Sequence, residues 1–442
     1  MKNFKKNRPV ICLSLLLLAA VQLNAQTPVP ANKQTKSILL SGGTVHVGNG
    51  KVIENGVVGI KDGKIDLVAD ATTIKLRQGA YDTTIYLNGK HLYPAFIAPN
   101  STLGLGEVES VRATNDFGEI GGYNPHVRSL IAFNMDSKVS TTVRTNGVLY
   151  VQATPRAGII SGTSSVISLE GWNWEDAVLK SGDGIHLNFP RSTKRNGWWA
   201  EPQASSQNDK FEEQLNDIKK FFTDAKAYNL AKTKEETNLR YEAMKGIFDG
   251  SQNLYIHTES IKDIVAAVNF IRQLELKKCV LVGAKDAWKV TKLLRDNNIA
   301  VMVNRVHDLP EREQEDVDLP YKLPYLLQKD SVLFCLENSG DMEAMNTRNL
   351  PFLAGTAAAY GLTKEQALIA ITLNTAKILG VDKQIGSLEA GKQASVIVSS
   401  GDALDMRTNN IEMAFVDGKK IMLTNTQQEL YKKYMNKYQL KQ

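Results

Sequence analysis

Cysteine is nearly missing from this chain, with three in 442 residues. Cys12 falls in an apolar stretch near the start, while Cys279 and Cys335 lie in the apolar runs KKCVLVG and SVLFCLEN. Neither of the latter two has a CxxC partner or histidines at a zinc-site spacing, so a disulfide scaffold and a cysteine-built metal module are both excluded. Buried free thiols are expected instead. An excess of one charge sign is also lacking. The formal charge is +6, but Lys2, Lys5, Lys6 and Arg8 belong to a leader; taking these four from the 53 basic residues leaves 49 against 47 acidic ones, a net +2. No stripe of basic and aromatic residues stands out, so nucleic acid is not an expected partner. The lysines near the end, Lys432, Lys433, Lys437 and Lys441, read as the solvated face of a terminal helix. There is no internal repeat of 20–50 residues and no low-complexity tract beyond the short segment 26–36. No phosphate-binding glycine loop follows the first strand of the middle region, which argues against an open nucleotide-binding sheet.

Only one apolar run is long, and it has the form of an export signal: a basic start, apolar residues 10–20, and Leu23-Asn24-Ala25 as a small-residue cleavage site before Gln26. It is too short for a confident membrane span. The expectation is therefore an exported, periplasmic chain with no membrane contact after cleavage. About 415 residues remain, room for one large domain and a small one.

Two β-rich ends flank a long alternating middle. Residues 37–93 contain ILLSGGTVHV, GVVGIKDGKIDLVA and TTIYLNG, punctuated by Gly-Gly, Asn-Gly and Asp-Gly pairs. Residues 384–424 repeat the style, again with an Asp-Gly hairpin signal. Together they predict one small β-sandwich built from both chain ends, followed by a helix over 425–442. Between them, residues 94–383 hold eight strand-like runs: HLYPAFIAP, GVLYVQAT, SSVISLEG, GIHLNF, NLYIHTE, KCVLVGA, IAVMVN and SVLFCLEN. Helical patterns lie between several of them. Phe211, Leu215, Ile218, Phe222 and Ala225 recur at helical spacing, and IKDIVAAVNFIRQL and AKDAWKVTKLLRDN read as crossover helices. Repeated strand–helix–strand units imply a parallel sheet, and their number fits an α/β fold with an eight-stranded (β/α)8 barrel. Residues 363–379 read as one helix that opens on a capping-box-like Thr-Lys-Glu-Gln and stops at Gly380.

Several phrases carry a specific resemblance. These are GGTVHVGNGKVIENGVVGIKDGKI, NPHVRSLIAFNMDS, GIISGTSSVISLEGW, RNLPFLAGTAAAYGL and GLTKEQALIAITLNTAKILGVDKQIGSLEAGKQASVIV. In this order they resemble the amidohydrolase superfamily, in the branch related to imidazolonepropionase. The resemblance implies a barrel with one or two divalent metals at its strand ends, and hydrolysis of C–N bonds in a small amide or cyclic amide. Zinc or another divalent metal is the implied cofactor of an active member. A small-molecule ligand is the implied partner, with self-association or pairing with an active paralogue as further options.

The metal positions implied by the resemblance are largely replaced. Where the family carries a histidine pair after its first strand, PAFIAPNSTLG has Asn100 and Thr102. His257 in NLYIHTE matches the strand-five histidine; Gly283 stands at the strand-six position, and Asn338 and Ser339 near the strand-eight aspartate. One matching ligand does not make a catalytic zinc site, which needs three, so no metal ligand is assigned. His257 then has two readings: a polar residue satisfied by its neighbours, or a catalytic group acting with Glu259, Glu337 or His186. His126, Arg156 and Trp199 are further pocket candidates, with Trp172, Trp174 and Trp198 as lid aromatics. The stretch 161–165 is read as a strand-to-helix turn. The chain is thus expected to be an exported amidohydrolase-type hydrolase, the alternative being a catalytically inactive homologue that binds a small molecule or partners an active paralogue.

Overall fold

The computed structural model describes residues 29–108, 110–194, 206–234 and 236–440. The segment expected as an export signal, Trp198 and Trp199 lie outside them.

The N-terminal part supplies β1 (Ile38–His46), β2 (Val52–Lys61), β3 (Lys64–Asp70), β4 (Thr83–Tyr86) and β5 (His91–Pro94). The Asp-Gly turn between β2 and β3 has both residues in the left-handed region, Asp62 at φ 50° and Gly63 at φ 77°. That is the turn whose twist matches a two-residue hairpin. The middle supplies β6 (Phe96–Ser101), β7 (Val148–Ala153), β8 (Ile160–Ser168), β9 (Val178–Asn188), β10 (Asn253–Thr258), β11 (Cys279–Gly283), β12 (Ala300–Val303) and β13 (Phe334–Leu336). The C-terminal part adds β14 (Val396–Ser399), β15 (Ile411–Val416) and β16 (Lys419–Ile421).

Both chain ends enter one hydrogen-bonded sheet, in the order β16-β15-β14-β5-β1-β2-β3, with β4 branching from β1. This single branched sheet takes the place of the predicted sandwich. It owns a separate core that includes Leu40, Val58, Ile60, Leu92, Val396 and Phe415.

The eight middle strands follow one another in chain order across a second sheet, β6 to β13. Each of the eight runs named from the sequence supplies one of its strands, HLYPAFIAP being divided between β5 of the first sheet and β6 of this one. Seven share one direction, but β8 is antiparallel to both β7 and β9. This corrects the uniform (β/α)8 expectation, and the reason is chain length. Residues 154–159 and 169–177 are the only links here, whereas a parallel crossover needs roughly a dozen residues or more. The stretch 161–165, expected as a turn, is the interior of β8.

The helices pack as the apolar spacing requires. Phe211–Leu230 buries Phe211, Leu215, Ile218, Phe222 and Ala225. The segment read as one helix over 363–379 is two, Lys364–Ala370 and Leu373–Leu379. Its Thr363–Gln366 capping box forms, and Gly380 closes it at φ 69°. The break falls at Ile371–Thr372, where the Thr372 hydroxyl donates back to the Leu368 carbonyl (2.6 Å), the kind of side-chain bond that bends helices. Cys279 and Cys335 are buried free thiols. Among the described residues, no helix is long and apolar enough to cross a membrane.

Candidate functional site

The C-terminal ends of β9 to β13 surround a cavity of about 230 Å³. Asn188, Phe189 and Arg191 come from the β9 end, His257, Thr258 and Glu259 from β10, Val282 and Gly283 from β11, Asn304 from β12, and Glu337 and Ser339 from β13. The three residues expected as catalytic, His257, Glu259 and Glu337, therefore share one cavity. Trp172 does not: it lines a different cavity, of about 580 Å³, beside the buried Arg144–Glu170 ion pair. His126 also lies elsewhere, exposed in a more open cavity with Tyr228 and Lys234. The reason is local: the chain after β6 crosses to β8, where Asn124 N donates to the Ile160 carbonyl (2.9 Å), away from the β9–β13 ends.

His257 is held from beneath. His186 on β9 is fully buried, and its Nδ1 lies 2.9 Å from His257 Nε2, with its Nε2 2.9 Å from Ser164 Oγ on β8. Ser164 in turn donates to Asp183 Oδ1 (2.7 Å). The other Asp183 oxygen accepts from the Tyr255 hydroxyl (2.6 Å) and from Gln152 Nε2 (2.8 Å). Gln152 Oε1 finally accepts from Asn100 N (2.9 Å). With Asp183 ionised, donor accounting assigns the tautomers. With the Ser164 proton spent on Asp183, His186 must donate from Nε2, so His257 donates from Nε2 and its Nδ1 is left unprotonated. Burial holds both imidazoles neutral, His257 down to about 3 and His186 well below its ordinary value, and nearby positive charge from Arg156 reinforces this.

Burial pushes the Glu337 carboxyl up to about 7, although Ser339 donates to it from both N (2.5 Å) and Oγ (2.9 Å). The charge of Arg156 opposes that rise. Glu259 is paired with Arg191 at 3.0 Å on the rim. The Thr258 hydroxyl oxygen is buried and has no hydrogen-bond partner.

The replaced positions do not fit a divalent metal. Among the described residues, no group of three or more histidine, cysteine or acidic side chains is placed to share an ion. Asn100 is buried in a left-handed turn, φ 49°, a conformation asparagine tolerates, and its Oδ1 and carbonyl oxygen both accept from Arg156 (2.9 and 2.8 Å). Thr102 is buried just beyond. Gly283 has φ 89°, and a Cβ there would approach the Thr258 carbonyl oxygen to 3.2 Å, so a histidine would be strained at that position. Asn338 is buried, and its unpartnered atom is Nδ2, a donor that does not ligate a cation.

Gln152, Asp183 and Tyr255 were not singled out from the sequence, and Ser164 only as part of the stretch 161–165. The signal available was a Gln and an Asp inside otherwise apolar strand runs, where a buried polar residue is the informative exception.

The same architecture occurs in solved proteins. An amidohydrolase from Thermotoga maritima MSB8 matches with a TM-score of 0.74 and 25% identity, over 87% of this chain and 99% of that one. The amidohydrolase family profile matches residues 215–421. This chain belongs to the amidohydrolase superfamily. Within that superfamily its sequence is similar to imidazolonepropionases: 31% identity over 111 residues with that of Erwinia tasmaniensis (24% of this chain, 25% of the relative), and 28% over 185 residues with that of Shewanella oneidensis (41% of each). The chain thus spans about two fifths or less of the length of the curated relatives it matches. A zinc-bound adenosine deaminase from Xanthomonas campestris shares the fold, with a TM-score of 0.51 and 14% identity over 92% of this chain and 98% of that one. The superfamily barrel is therefore of TIM type, and here it is nearly closed, with β6 and β13 as its two ends.

Proposed function

We propose that this chain is an exported hydrolase-type member of the amidohydrolase superfamily, acting on the C–N bond of a small polar amide or cyclic amide held in the cavity at the β9–β13 ends. The observation that carries this reading is the convergence of His257 and Glu337 on that one cavity. Hydrolysis adds the water hydroxyl to the carbonyl carbon and a proton to the leaving nitrogen. Glu337, near its midpoint at neutral pH, is suited to take the first proton and return it to nitrogen. His257 offers Nδ1 as an acceptor, and Arg191 and Asn304 supply donors for orientation. Similarity to imidazolonepropionases supports the choice of cyclic amides, and the basic-then-apolar leader supports export to the periplasm.

A second reading rests on a different observation: the Asn100 oxygens and His257 Nε2 are already engaged, so nothing is arranged to polarise a carbonyl strongly. On that reading the cavity binds a small molecule without turning it over, or the chain partners an active paralogue. A panel of small amides and cyclic amides, followed for amine or carboxylate release by the purified mature protein, separates the two. Turnover that falls at least about 100-fold in Glu337→Gln supports the first reading. Saturable binding without turnover, seen by ligand-observed NMR and lost in a His257 variant, supports the second. Neither turnover nor binding across the panel overturns both.

A further inference from the structure

The mouth of this barrel already contains a cation. Arg156, in the short link between β7 and β8, reaches back across the end of β6 and takes both Asn100 oxygens, NH1 to Oδ1 at 2.9 Å and NH2 to the carbonyl at 2.8 Å. The same NH2 lies 3.2 Å from the Glu343 carboxylate beyond β13. One guanidinium thus spans the two ends of the nearly closed sheet, with its fork satisfied by an amide oxygen, a carbonyl and a carboxylate. The flanking backbone is specialised for this position: Ala157 and Gly158 are both left-handed, at φ 71° and 70°.

We infer that Arg156 is a built-in replacement for a metal ion: it occupies the oxygen donors at the strand ends, supplies the positive charge there, and thereby excludes divalent cations from the site. The surroundings of the guanidinium agree. His257 Nε2 is committed to His186, so no imidazole nitrogen is left on that side except Nδ1. Gly283 has a backbone that disfavours any side chain. The carboxylate nearest the guanidinium, Glu343, is spent on it and on Gly340 N (3.1 Å). A divalent ion entering this space would meet a fixed like charge and oxygens that already accept hydrogen bonds. Arg, with its delocalised charge and fork, suits such a partly buried post better than Lys. The inference goes beyond the functional reading and holds whether the cavity turns its ligand over or only binds it.

The test uses the full mature chain and zinc itself, with metal content measured after dialysis and affinity measured by competition with a chromophoric chelator. The wild type is expected to retain no stoichiometric zinc. Asn100→His with Thr102→His is expected to gain less than about tenfold in zinc affinity while Arg156 is present, and at least about 100-fold when Arg156→Met is added. Arg156→Lys in that background is expected to keep zinc out, because the charge remains. One zinc per wild-type chain, lost in His257→Ala, overturns the inference; so does equal zinc affinity with and without Arg156 in the double-histidine background. If the variants fail to give a cooperative melt, the wild-type titration alone decides. Because the readout is metal rather than turnover, failure of the functional proposal leaves this result standing.

Discussion

The molecule contains two histidine pairs, and they are terminated differently. At the barrel mouth His257 and His186 meet at 2.9 Å, and the chain of bonds runs inward through Ser164 to the buried Asp183. At the seam between sheet and barrel, His46 and His91 meet at 3.1 Å, and the chain ends on Glu365, 2.7 Å from His46 Nδ1 and partly open to water. The seam pair also stacks on Tyr93, with the His46 and Tyr93 ring centroids 4.3 Å apart. Similar residues at similar distances thus serve different ends. A carboxylate at the partly exposed seam can be replaced by solvent; one in a dry barrel interior, already accepting from three donors, cannot.

The largest expected effect tests that contrast directly. Asp183→Ala removes the acceptor shared by the Tyr255 hydroxyl, the Ser164 hydroxyl and the Gln152 amide, and is expected to cost about 3–5 kcal/mol in urea unfolding. Glu365→Ala at the seam is expected to cost about 1 kcal/mol or less. Equal losses would break the comparison.

A pH dependence comes next. His257 titrates near 3 in the folded chain, below its unfolded value, so its contribution to stability is lost as pH falls from about 6.5 toward 3. Glu337 runs the other way. Its folded value of about 7 lies above the ordinary 4.5, so its contribution is present at low pH and is lost as pH rises from 4.5 through 7. The two offset each other between pH 5 and 7. Glu337→Gln removes one side, and urea midpoints should then show the variant losing stability relative to wild type on going from pH 7 to 5, by on the order of 2 kcal/mol. A variant curve parallel to the wild type would show that the Glu337 carboxyl titrates normally. The smallest effect sharpens the inner chain: Tyr255→Phe removes one of three donors to Asp183 and is expected to cost about 1 kcal/mol by the same unfolding assay.

Much of this architecture was legible in the sequence because its causes are local. Each of eight apolar runs supplied a barrel strand, the Phe211-to-Ala225 spacing marked the buried face of a helix, and Thr363 with Gln366 capped a later one. The direction of β8 was legible too, had the length of residues 154–159 been weighed against what a crossover needs. HLYPAFIAP looked like one strand and is two, since period and composition do not say which sheet a residue joins. The site was only half legible. His257, Glu259 and Glu337 share a cavity because strand ends converge in any such barrel. The bonds that tie Asn100 to Arg156, or His186 to Ser164, join residues 56 and 22 positions apart and depend on register and bulges that no local pattern encodes.

The run His91–Ser101 passes from one sheet into the other with only Ala95 between β5 and β6. Ala95 is itself buried and donates to the Ser395 carbonyl (3.0 Å). The outer sheet is therefore not hung on a hinge. Its strand β5 and the strand that carries Asn100 form a single stiff rod, anchored at both ends and clamped in the middle. A load or a partner pressing on the outer sheet would act on the Asn100–Arg156 clasp as through a lever, with no slack linker to absorb the motion.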